Sequence, residues 1–157
     1  GNIMRARKRY DDAVKYFSRA IDIIGKPDDR HWTFYYARGT AYERMKNWPA
    51  AESDLKKALA LAPDQALVLN YLGYSLVDRG QKLDEALAMI QKAVDRQPNN
   101  GAILDSLAWA YFRSGRLDAA VQASARALRT GTRDREMRER ARTIARAAAA
   151  SIHGGSR

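Results

Sequence analysis

Three trios of residues hold the chemistry of interest in this chain: Tyr36, Thr40 and Arg44; Asn70, Tyr74 and Asp78; Asp105, Trp109 and Arg113. Members of each trio are four residues apart, so on a helix they share one stripe. A ring set among hydroxyl, amide, carboxylate and guanidinium groups suits the capture of an extended peptide. The ring covers an apolar side chain, and the polar groups pair with the peptide backbone. The competing reading has Tyr36, Tyr74 and Trp109 packing against adjacent helices. Trp32 and Trp48, at an expected helix start and turn, read as structural.

Reactive chemistry has little to build on. His31 stands in an expected turn and His153 beside glycines, and neither belongs to a set with metal-ligand spacing. The chain has no cysteine, which removes disulfides and thiolate metal sites. It contains no glycine-rich phosphate loop and no nucleophile elbow. The acid pairs Asp11-Asp12, Asp28-Asp29 and Asp84-Glu85 fall at expected helix starts or turns, where capping and the helix dipole account for them. No catalytic residue, cofactor or metal is expected.

A different chemistry gathers near the C-terminus. Of the formal net charge of +10, most lies there: residues 101–157 hold 11 basic against 5 acidic side chains. Arg135, Arg138, Arg142 and Arg146 form a helical stripe that offers cations to the phosphates of RNA, DNA or an anionic membrane surface. Asp134, Glu136 and Glu139 are interleaved as helical partners, and no aromatic residue accompanies the arginines to stack a base. A solvated helix face is the plainer reading. No apolar run nears the roughly 18 to 20 residues that span a bilayer. No secretory signal is visible, and the compartment stays open.

The elements that must position these groups show in a recurrence. Gly39, Tyr42, Ala51, Leu55, Ala58 and Pro63 are answered by Gly73, Leu76, Ala86, Ile90, Ala93 and Pro98. Ala108, Tyr111, Ala120, Ser124 and Ala127 follow. Pro63 to Pro98 is 35 residues and Ala86 to Ala120 is 34, a period that marks stacked helical hairpins. Helices are expected over 33–46 and 49–61, 66–79 and 84–96, and 101–114 and 117–129. Asn47 is the expected N-cap of 49–61, with Pro49 in its first turn. The turn Gly80–Leu83 is one residue longer than its counterparts.

Gly39, Gly73 and Ala108 sit where each first helix must approach Ala51, Ala86 and Ala120 of the second. Ala13, Phe17 and Ala20 match the second helix of a further unit, with Tyr10 at its turn and Gly1 where Gly39 falls in its own. Half of a first helix is then missing, and the chain reads as a fragment of a longer solenoid. Residues 25–31 are expected to be a tolerated insertion. Residues 134–152 read as one helix, apolar at Met137, Ala141, Ile144, Ala148 and Ile152, ended by Gly154-Gly155.

This order of small, aromatic, alanine and proline residues resembles the tetratricopeptide repeat over roughly residues 1–130. The stretches Leu69–Leu76 and Leu104–Tyr111 look like bacterial members. Arg38 stands where leucine is usual, Ser124 where an aromatic is usual, and Thr132 replaces the final proline. The resemblance implies an all-α, right-handed superhelical solenoid: a partial repeat at 1–25, repeats at 32–65, 66–100 and 101–132, an Arg-rich amphipathic capping helix at 133–152 and a flexible tail at 153–157. It further implies that the first helices line a concave face, so the three trios bind the partner. The expected role is a non-catalytic scaffold for proteins or peptides. A carboxylate clamp for chaperone tails fits poorly, since only Asn70 matches and Asp105 would repel a carboxylate. Self-association through exposed repeat ends is a third reading.

Overall fold

The structure, a computed structural model, describes residues 2–131 and 134–154. Gly1, Thr132, Arg133 and the tail from Gly155 onward lie outside the described residues. Those described form eight α-helices and one 3₁₀ turn, with no strand: α1 (Asn2–Ile24), the turn Asp29–His31, α2 (Trp32–Arg44), α3 (Trp48–Leu61), α4 (Ala66–Asp78), α5 (Leu83–Arg96), α6 (Gly101–Arg113), α7 (Leu117–Arg129) and α8 (Arg135–Gly154). They divide into two compact units, Gly1–Val68 and Leu69–Arg157.

In the first unit α2 pairs with α3, and α1 lies along α2. A Cβ added to Gly39 would stand 3.1 Å from Leu55 Cγ and 3.3 Å from the Ala51 carbonyl oxygen, which is why only the smallest residue serves there. Tyr35, Ala58 and Val68 form a buried cluster, with Ile21, Trp32, Tyr36, Leu59 and Leu61 packed against it. Asn47 caps α3 as expected, its Oδ1 accepting from Ala50 N at 3.4 Å.

Arg38, the departure from leucine, is built into this unit. Its guanidinium donates to both carboxylate oxygens of Asp54 at 2.7 and 2.8 Å and to Ser18 Oγ at 3.2 Å. One side chain thus ties α1, α2 and α3 together. The hydrogen bonds it donates to Asp54 hold the guanidinium pKa above its ordinary value.

One expectation for the first unit changes. There is no turn at Tyr10, because α1 is one continuous helix of 23 residues. The stretch Arg7-Lys8-Arg9-Tyr10-Asp11-Asp12 contains no glycine, proline or asparagine to interrupt it. Residues 25–31 are an ordered turn: Gly25 takes φ 68° after α1, and the Asp28 carboxylate accepts from Arg30 N at 2.9 Å. His31 completes the cap, its Nδ1 accepting from Asp28 N at 3.0 Å. Arg30 also holds the Asp28 carboxyl below its ordinary pKa.

In the second unit α4 pairs with α5, where a Cβ on Gly73 would fall 2.8 Å from Ile90 Cγ1. Next, α5 meets α6, α6 pairs with α7, and α8 packs on both α7 and α6. Gly80 and Lys82 take φ 67° and 47°, so the extra turn residue is absorbed by a second left-handed position. Asn100 caps α6, accepting from Ile103 N at 3.2 Å. Asp134 caps α8, accepting from Met137 N at 3.0 Å. Met137 and Ile144 of α8 are buried, whereas Ile152 is 73% exposed. The helix also runs two residues beyond 152, taking in part of the expected tail.

Candidate functional site

The second unit contains a cleft of about 240 Å³ whose walls come from α4, α6 and α8, with Asp134 at its rim. Asn70 and Tyr74 stand one turn apart on α4, and Asp105 faces the same space from α6. Tyr71, Ala102 and Met137 supply apolar wall, and Glu136 and Arg140 enter from α8. Three of the nine predicted residues therefore converge.

Arg140 organises the polar side of the cleft. Its Nε donates to Asp105 Oδ2 at 2.8 Å, and Nη2 contacts the same oxygen. Nη1 lies 3.5 Å from Glu136, and the guanidinium carbon is 5.8 Å from the centre of the Tyr74 ring. Asp105 is buried, and burial pushes its carboxyl pKa up even against the pull of Arg140. Burial likewise pushes the Tyr74 hydroxyl above its ordinary value. Asn70 Oδ1 is buried without a hydrogen-bond partner among the described residues. The cleft thus joins an aromatic and aliphatic wall to a mixed charged edge, with hydrogen-bonding capacity to spare.

The other candidates lie elsewhere. Asp78 and Arg113 are exposed, with Arg113 Nη2 reaching the turn at Gly80. Trp109 is half-buried and stacks on Phe112 at 5.1 Å between ring centres, and its Nε1 is buried without a partner among the described residues. In the first unit Tyr36 packs edge-on against Trp32 at 5.9 Å, as part of the cluster around Tyr35. Thr40 Oγ1 donates to the Ala37 carbonyl in its own helix at 2.8 Å. Arg44 is exposed and faces α1. Arg135, Arg138, Arg142 and Arg146 are all exposed, and Arg135 is paired with Glu139 at 3.2 Å. Arg140 escaped the sequence reading. It sits three residues after Met137 and four before Ile144, beside the apolar stripe of α8. That position was the available sign.

Family models described as tetratricopeptide repeat match residues 1–64 and, in two overlapping windows, 36–101 and 72–135. Over 82 residues, 52% of the chain, it is 40% identical to the TPR repeat-containing protein PA4667 of Pseudomonas aeruginosa. It spans only 14% of that protein's length. Among solved structures it is similar to the Sgt2 TPR domain from Aspergillus fumigatus, with TM-score 0.72 and 18% identity, over 80% of this chain and 84% of that one. It is also similar to the first TPR of Spaghetti (RPAP3) bound to the HSP90 peptide SRMEEVD, with TM-score 0.69 and 19% identity, over 78% and 99%. At these identities the structural likeness is one of fold.

Proposed function

The chain belongs to the tetratricopeptide repeat family, and on that premise we propose that it is a non-catalytic binding module for an extended segment of a partner protein. The observation that carries this reading is the convergence of Asn70, Tyr74 and Asp105 with Met137 and Arg140 on one cleft. Tyr74 and Met137 cover an apolar side chain of the ligand. Asn70 and the edge formed by Asp105, Glu136 and Arg140 fix its backbone and its direction. Asp78, Trp109 and Arg113 flank this contact in the same unit, while Tyr36, Thr40 and Arg44 are separate contributors in the first. The repeat boundaries 32–65, 66–100 and 101–132 belong to this proposal too.

The test starts from peptides selected against the purified chain from a random display library. Their affinities are then measured by fluorescence anisotropy with the unmodified chain and with Tyr74→Ala. The expected result is at least a tenfold weaker Kd for Tyr74→Ala, with helicity and Tm nearly unchanged. An unaltered Kd, or a large fall in Tm showing Tyr74 to be core, contradicts the assignment.

A further inference from the structure

The cleft between α4, α6 and α8 carries a charge opposite to that of the chain. Three carboxylates line it, Asp105, Asp134 and Glu136, against one guanidinium, Arg140. The whole chain, by contrast, has a formal net charge of +10. Arg135, Arg138, Arg142 and Arg146, exposed on α8, are not among the lining residues. An acidic excess set in a concave and partly apolar wall selects a cation.

Arg140 faces carboxylates with all three of its nitrogens, so its charge is met from within the chain. Nε and Nη2 both meet Asp105 Oδ2, and Nη1 lies 3.5 Å from Glu136. What stays unspent is acceptor capacity. Asp105 is only 5% exposed, yet its Oδ1 receives no hydrogen bond among the described residues. Glu136 has only the 3.5 Å contact with Arg140, and its side chain is 80% exposed. Asp134 uses Oδ1 on the Met137 amide and makes no ion pair among the described residues. Asn70 Oδ1, buried and unpartnered among the described residues, is one more acceptor on the same wall.

Size narrows the choice. At about 240 Å³ the space is smaller than the roughly 300–1,000 Å³ of pockets that enclose a small-molecule ligand. It suits one long side chain. Lys and Arg join an aliphatic stem to a charged head, which matches a wall of Tyr74 and Met137 beside free carboxylate oxygens.

We propose, taking the peptide-binding role above as given, that the partner residue seated in this cleft is a Lys or Arg. Its stem lies against Tyr74 and Met137, and its head donates to Asp105 Oδ1 and meets Glu136 and Asp134. An aliphatic anchor would leave those acceptors without a donor, and an acidic one would be repelled.

The experiment takes display-selected peptides whose Kd, read by anisotropy on the whole chain, weakens at least tenfold with Tyr74→Ala. Each should contain a Lys or Arg whose replacement by norleucine, which keeps the stem, weakens binding at least fivefold. Glu at that position should weaken it further, and rising salt should weaken the parent peptide. On the protein side, the double variant Asp134→Asn, Glu136→Gln removes two charges and keeps a capping residue on α8. It should weaken the parent peptide at least fivefold and leave the norleucine peptide unchanged. Circular dichroism checks its helicity, and if that is lost the peptide series decides alone. Tyr74-dependent peptides with no such Lys or Arg, or with a preference for Glu, overturn the cationic anchor and leave peptide capture standing. Equal losses for the parent and norleucine peptides on a folded double variant overturn it too. If no selected peptide depends on Tyr74, both readings fall.

Discussion

At Gly73 there is no room for a methyl group. The nearest atom to an added Cβ is Ile90 Cγ1, on a fully buried side chain that cannot swing away. Gly73→Ala is therefore expected to cost about 1–3 kcal/mol, measured by urea denaturation. No measurable loss would mean that α4 and α5 can separate freely. Such positions were legible in the sequence because close helix approach restricts residue size, and a restriction repeated at Gly39, Gly73 and Ala108 shows as a period. Arg140 and Arg38 were not legible in the same way. Each is a charge placed on or beside an apolar stripe, and its purpose depends on an acid far away in sequence, Asp105 or Asp54. Periodicity carries no information about such pairs.

Helix existence followed from the pattern, and most helix ends fell within two residues of expectation, since Asn47, Gly80 and Gly115 are local stop and start signals. The continuous α1 did not follow, because the analogy with later hairpins imposed a turn that its own residues do not encode. The placement of α8 depends on more than its amphipathic pattern, because Arg140 fastens it to α6. A double-mutant cycle with Asp105→Asn and Arg140→Gln should return a coupling of about 1–3 kcal/mol at neutral pH. Additive losses would mean the pair does not hold α8 in place. The raised Asp105 pKa supplies a pH signature. The folded chain holds this proton more tightly than the unfolded one, so the charged carboxylate detracts from stability above its raised pKa. That loss fades as pH falls toward the ordinary value of 3.8. Relative to Asp105→Asn, the unmodified chain should thus gain stability as the solution is acidified through that window. A relative loss would mean that Arg140 outweighs burial and holds the Asp105 pKa down.

Among the described residues, the candidate contacts lie along helix faces. Among the described residues no group of His, Cys, Asp and Glu is arranged to hold a metal, and no helix is long and apolar enough to cross a membrane. The family's hairpin order was readable because it repeats. The cleft was only partly readable, since α8 follows the last hairpin and falls outside the repeat. Peptide capture by α4, α6 and α8 is therefore the central claim, and hydrogen-exchange mass spectrometry with a display-selected peptide tests it most directly. The account predicts slower exchange on binding in 66–78, 101–113 and 135–144, with α5 and α7 unchanged. Protection confined to α5 and α7, with none on α4, α6 or α8, would contradict it.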